Sequence, residues 1–260
     1  HGRVSTSEGD SHGHNVITPT YGIAQDATLS QAPGGDFLSQ YLGCTSCHDP
    51  HGNQNFRILY GSAMGPKYNG GRYNFSADAP VALGNSRRTY NEDGWETDTQ
   101  HTIYKSGVSD WCANCHETFH SDNTTAFIHP IQAMGSTVAG TYNAYVNSDQ
   151  QVGGDPLTSY SGLVPFEAVN VDFDDPLFDS ENYTQGPSTS DQVMCLTCHR
   201  AHASSAPNAG RWDFGQTLIA EDGLESGSYA IPNPYADPDQ RSLCNKCHAK
   251  DVDDHVTVTP

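Results

Sequence analysis

Cys44-Thr45-Ser46-Cys47-His48 is the first of four copies of one pattern. It returns as Cys112-Ala-Asn-Cys115-His116, Cys195-Leu-Thr-Cys198-His199 and Cys244-Asn-Lys-Cys247-His248, and together the four use all eight cysteines. C-x-x-C-H is the haem c attachment pattern. The two thiols add across the porphyrin vinyl groups, the two-residue spacer sets their separation, and the following histidine lies under the iron as proximal ligand. A thioredoxin-like C-x-x-C needs no histidine next in sequence. A zinc site pairs two knuckles without one. A disulfide framework scatters its cysteines more widely.

The rest of the composition fits a chain that leans on its cofactors. Only 35% of the 260 residues are hydrophobic, with 25 glycines and 15 prolines. Such a polar, turn-rich chain buries too little side-chain surface to offset its ordering entropy unaided. The expected fold is therefore a multihaem cytochrome c, mostly coil. Short helices surround each C-x-x-C-H, strands are few and short, and the haems form the core. Trp111 and Trp212 are expected to pack against porphyrin.

The first cysteines stand at 44, 112, 195 and 244, so the intervals of 68, 83 and 49 residues differ. That reads as a string of haem modules rather than a true repeat. A single tetrahaem unit over 1–260 is expected. It comprises an N-terminal arm (1–43) and haem segments at 44–60, 101–130, 191–215 and 241–260, the last including the tail.

The formal charge of −19 makes nucleic acid an improbable partner and favours solubility or cationic redox partners. No apolar run is long enough to span a bilayer. Haem c is attached outside the cytoplasmic membrane, so an exported chain is expected, and its opening at His1 fits a processed N-terminus.

Four proximal histidines, His48, His116, His199 and His248, leave nine others against three methionines. Bis-histidine iron follows as the economical assignment, a low-potential centre suited to electron transfer and closed to substrate. His51 and His202 each follow a proximal histidine by three residues, too close to reach the far face of their own haem. Each is placed to cap an adjacent one. His129 precedes a proline that fixes its approach. His14, with His12 as competitor, lies in a Gly/Ser-rich leader. The expected distal set is His14, His51, His129 and His202, with His120, His101 and His12 in reserve.

Leu42 to Gly52 (LGCTSCHDPHG) with Phe56 to Gly61 (FRILYG) resembles the first haem segment of outer-surface multihaem cytochromes from metal-reducing bacteria. WCANCHETFH, FIHPI, VMCLTCHRAHASS and RWDF follow in the same order as that family's later segments, and CNKCH closes the set. With four haems, the chain resembles the tetrahaem OmcE-type cytochromes that polymerise into extracellular filaments. The resemblance implies a continuous haem chain and a homopolymer. It also implies one iron ligated across the subunit boundary, with His14 or His12 as donor. The 135–190 stretch is expected to coat the filament.

Three functions follow. The first is an extracellular or cell-surface filament subunit passing electrons to redox proteins or extracellular acceptors. The second is a monomeric periplasmic shuttle. The third is a multihaem reductase, disfavoured because no C-x-x-C-K variant is present and histidines are plentiful. The chain is accordingly read as a carrier rather than an enzyme.

Overall fold

The computed structural model describes residues 12–68, 71–84, 96–120, 131–222, 233–235 and 237–248. Most of the backbone is coil. The α-helices are α1 (Cys44–Cys47), α2 (Val108–Ala113), α3 (Gly135–Ala144) and α4 (Cys195–Cys198). The strands are β1 (Lys67–Tyr68), β2 (Gly71–Arg72), β3 (Val81–Gly84) and β4 (Thr102–Ser106). The last C-x-x-C-H starts in a 3-10 turn, Leu243–Lys246, instead of an α-helix.

The short helices follow from their local chemistry. In α1 the Ser46 hydroxyl accepts from Gly43 N–H at 2.9 Å, and in α4 the Thr197 hydroxyl accepts from Met194 N–H at 3.0 Å. These bonds satisfy a donor that a helix start leaves open. Each helix ends where its histidine turns to extended backbone, at His48 (φ −105°, ψ 135°) and His199 (φ −113°, ψ 160°).

β1 pairs with β2 and β3 with β4, both antiparallel, the second pair running from Val81 opposite Ser106 to Gly84 opposite Thr102. Single bridges extend the β3–β4 sheet from Tyr104 to Glu167, from Glu167 to Gln192, and from Gln192 to Ala133. The 135–190 stretch is thereby laced to the segment that leads into α4. The buried Glu167 carboxylate fastens the start of α2 by accepting from Val108 N–H at 2.7 Å. Burial raises its pKa, while that bond works in the opposite direction.

The same stretch also builds a side-chain core that composition did not announce. Tyr142, Tyr160, Val164 and Phe166 pack with Trp212 and Leu243, and Cys198, Cys244 and Cys247 lie against them. The stretch expected to coat the filament thus has a buried side as well, since its aromatic residues pack toward the cysteines. Tyr142 is fully buried yet satisfied: its hydroxyl donates to Val164 O and accepts from Ser161 N–H, both at 2.9 Å. Leu157 and Leu177 of the same stretch are exposed. No helix among the described residues is long and apolar enough to cross a membrane.

Lys246 is buried in this core, with its ammonium 4.5 Å from the Tyr142 ring centroid. Burial pushes its pKa down from 10.5 to about 8. Between these values the unfolded chain holds a proton that the folded chain has released, so this group adds stability as pH rises through that window. Lys246→Met is expected to raise unfolding stability at pH 7 by on the order of 1–3 kcal/mol. That advantage should shrink between pH 8 and 10.5 in denaturant titrations of the two proteins.

Candidate haem-binding site

Each C-x-x-C-H wraps one turn of backbone, so that the histidine N–H returns to the first cysteine's carbonyl. These bonds measure 3.1 Å for His48, 3.0 Å for His116, and 2.9 Å for both His199 and His248. Three of the four rings are then tethered through Nδ1. His48 bonds Arg57 O at 2.9 Å, His116 bonds Pro33 O at 2.7 Å and His199 bonds Asn208 O at 2.8 Å. A carbonyl oxygen only accepts, so Nδ1 carries the proton and Nε2 keeps its lone pair for a metal. This carbonyl-tethered imidazole is the usual supporting shell of a metal-ligating histidine.

Two of the acceptor carbonyls sit in unusual backbone. Arg57 and Ile58 have φ of 50° and 53°, and Asn208 and Ala209 have φ of 59° and 53°. None of the four is glycine, and left-handed backbone costs roughly 1–2 kcal/mol per L-residue. The third acceptor, Pro33, is delivered by a turn in the N-terminal arm. Gly35 N–H closes that turn onto Ala32 O at 3.0 Å, and Thr118 N–H donates to Gly34 O at 2.7 Å.

Two further histidines face the tethered rings. The His48 and His202 ring centroids are 6.1 Å apart, and those of His14 and His116 are 6.0 Å apart. With a metal–imidazole bond of about 2.0 Å on each side, two trans ligands of one ion have centroids roughly 6 Å apart. His14 Nδ1 is itself tethered to Ala201 O at 2.7 Å. Burial and then nearby His48, His14 and Arg57 push the His202 pKa down, which favours the neutral, ligating form.

The leader that carries His14 is not free. Gly13 bridges Ala203, His14 N–H donates to His202 O at 2.8 Å, and Ser204 N–H donates to His12 O at 3.0 Å. A Cβ on Gly13 would fall on the His202 carbonyl oxygen. Where the resemblance implied that His14 reaches into a neighbouring subunit, backbone pairing within this chain sets it beside His116. Residues 199–204 serve three sites at once, through His199, the Ala201 carbonyl and His202.

His101, held in reserve on sequence grounds, is the buried histidine of the set. Its ring stacks on Tyr160 at 3.8 Å with 14° between planes, and Nδ1 lies 3.3 Å from Thr97 O. Its buried Nε2 has no hydrogen-bond partner. An orphaned ring nitrogen of this kind suits a metal. Burial lowers the pKa of His101. The sequence signal was weak, a histidine opening an apolar strand.

His51 is exposed, and no other imidazole stands in ring contact with it among the described residues. His120 closes the 3-10 turn Glu117–His120, and His129 lies outside the described residues.

Disulfide exchange and thiolate–metal bonding need a depressed thiol pKa, and the thiols of Cys47, Cys112, Cys115, Cys198 and Cys247 are shifted the other way. Burial pushes Cys47 up to about 11 and Cys115, Cys198 and Cys247 up to about 12. Cys112 is raised by its hydrogen bond with Cys195 and by burial. The same interactions show that the sites are neighbours in sequence order: Cys47 acts on Cys115, Cys112 touches Cys195, and Cys198 feels Cys247 and Cys244.

The spacer residues carry a role that sequence reasoning passed over. The residue before each second cysteine, Ser46, Asn114, Thr197 or Lys246, is buried. Ser46 and Thr197 cap their own helices, and the Asn114 side-chain Oδ1 accepts from Ser76 N–H at 2.8 Å and Ala77 N–H at 3.1 Å. Trp111 donates its indole N–H to Tyr60 O at 2.8 Å, and Trp212 lies in the core.

The Pro33 acceptor depends on a close backbone approach, because a Cβ on Gly35 would fall on the Cys115 carbonyl oxygen. Gly35→Ala is expected to lift the arm and release His116 Nδ1. Electron paramagnetic resonance should then show one altered low-spin haem, the second, with the other signals unchanged.

No known family model matches the chain. Its sequence is 34% identical to the C-type cytochrome OmcS of Geobacter sulfurreducens, over 95% of this chain and 71% of that protein. The fold matches the outer membrane cytochrome S filament of that organism with a TM-score of 0.79 at 32% identity, covering 95% of this chain and 75% of the other. It matches the OmcS nanowires seen by cryo-electron microscopy with a TM-score of 0.77 at 30% identity and the same coverage. Imidazoles tethered through Nδ1, cysteine pairs one turn apart and this likeness over almost the whole chain agree: the protein belongs to the OmcS family of c-type cytochromes, with haem c as its prosthetic group.

Proposed function

We propose that this chain carries four c-type haems, each with two histidine ligands, and conducts electrons along them as a subunit of an extracellular cytochrome filament. The observation that carries this reading is the pair of imidazole couples at 6.0 and 6.1 Å, each joining a C-x-x-C-H histidine to a second one. Haem c supplies reversible one-electron chemistry when bound. The chain's own residues anchor it through thioether bonds at Cys44/Cys47, Cys112/Cys115, Cys195/Cys198 and Cys244/Cys247.

His48 with His202 serves the first haem, and His116 with His14 the second. His199 and His248 are the proximal ligands of the third and fourth. His101 is assigned to the fourth site, because it stacks on Tyr160, a member of the cluster against which both Cys244 and Cys247 pack. The sixth ligand of the third haem comes from His51, His129, His120 or His12. Two histidines held for each haem would leave no iron open to substrate, which supports a carrier over a reductase.

The adjacency of the cysteine sites in sequence order supports a continuous electron path. The likeness to filament-forming OmcS supports a homopolymer outside the cell, whose partners are further copies, redox proteins and extracellular acceptors. His14 is engaged within its own chain, so a ligand shared between subunits falls to another histidine, the exposed His51 first. The monomeric periplasmic shuttle is the alternative.

Mass spectrometry of the purified protein is expected to show four covalent haems, and electron micrographs to show filaments. His202→Ala, His14→Ala and His101→Ala should each open one iron to carbon monoxide while the wild type binds none. Monodisperse single particles would overturn the filament. Carbon monoxide binding by the wild type, or by none of the three variants, would overturn the ligand scheme.

A further inference from the structure

The first and third haem segments are the same structure written in different residues, offset by 151 positions. Asp49 N–H donates to Ile58 O at 2.8 Å, and Arg200 N–H donates to Ala209 O at 2.7 Å. Tyr60 N–H meets Cys47 O at 3.0 Å, and Arg211 N–H meets Cys198 O at 2.6 Å. His48 bridges Leu59 as His199 bridges Gly210. Both 3-10 turns, Phe56–Ile58 and Pro207–Ala209, contain a left-handed central residue, Arg57 (φ 50°, ψ 29°) or Asn208 (φ 59°, ψ 27°). That residue's carbonyl receives the Nδ1–H of the proximal histidine, at 2.9 and 2.8 Å. The unequal motif intervals had suggested modules without a true repeat, and at these two segments that expectation is corrected.

Local sequence does not account for these turns. Phe-Arg-Ile-Leu and Pro-Asn-Ala-Gly share no residue in register, and the left-handed positions hold Arg, Ile, Asn and Ala. Only one other non-glycine residue among those described, Ala63, has positive φ. Strained backbone that recurs at the same atom of two sites marks a functional constraint. The second site solves the same problem differently, borrowing Pro33 from the distant arm.

We infer that the twin left-handed turns at 57–58 and 208–209 are positioning elements that set the reduction potentials of the first and third haems. The inference rests on the haem assignment proposed above and goes beyond it. A carbonyl aimed at Nδ1–H makes the imidazole a stronger donor, which stabilises ferric iron and lowers the potential. Because each turn lies within its own haem segment, this tuning is independent of arm docking.

Asn208 is exposed and uncharged, so it gives the clean test. A β-branched side chain resists positive φ, and glycine accepts it. In redox titrations of the intact holoprotein followed by electron paramagnetic resonance, Asn208→Val should raise the potential of the third haem alone. Asn208→Gly should leave all four at wild-type values. Arg57→Val and Arg57→Gly should repeat the pattern at the first haem. Equal shifts in the Val and Gly variants, or no shift in either, would make the turns mere scaffold. Should the Val variants fail to mature, the ferrous wild-type protein supplies the second measurement. The Nδ1 protons of His48 and His199 should exchange slowly with solvent, and fast exchange of either overturns the inference. A wild type lacking four low-spin haems would instead defeat the functional reading itself.

Discussion

A neutral imidazole can bind a metal only through the nitrogen that lacks a proton, and a backbone carbonyl decides which nitrogen that is. His14, His48, His116 and His199 all meet this condition through an Nδ1–H···O=C bond of 2.7 to 2.9 Å. Much of the coil exists to deliver those carbonyls. The arm turn brings Pro33, the left-handed turns bring Arg57 and Asn208, and the short run after His199 brings Ala201. A fold made mostly of loops is therefore not loosely specified, because each loop ends on an atom that a ligand ring requires.

Residues 199–204 show how closely these demands interlock. His199 stands at the third cysteine pair, the Ala201 carbonyl steadies a ligand for the second, and His202 faces the histidine of the first. This segment ties three of the proposed haem sites to one strip of backbone. Small shifts there move several ligands together, which suits a conductor whose centres must keep constant spacing.

The second half of the described chain adds a stabilising layer of a different kind. Tyr142, Tyr160 and Phe166 bring apolar surface to cysteines that would otherwise face only porphyrin. The buried Arg211 is satisfied without a carboxylate, through Leu196 O at 2.5 Å and Gly162 O at 3.2 Å. Lys246 rests on aromatic faces. Carbonyls and rings thus support the two buried cations of this layer.

The sequence by itself determined a coil-rich architecture and marked four C-x-x-C-H motifs as candidate attachment points, because each rests on short-range geometry. Two thiols one turn apart and an adjacent imidazole suffice, and that pattern is written in consecutive residues. It also singled out His202 as the cap of another site, since a three-residue offset cannot reach around its own haem. Only the tertiary structure paired His48 with His202, held His14 within its own chain, raised His101 from the reserve and turned the 135–190 stretch inward. The histidine pairings among them depend on backbone carbonyls at Pro33, Arg57 and Ala201. Every residue has a carbonyl, so no side-chain pattern marks the ones that will be used; the chain has to come back on itself before they are chosen.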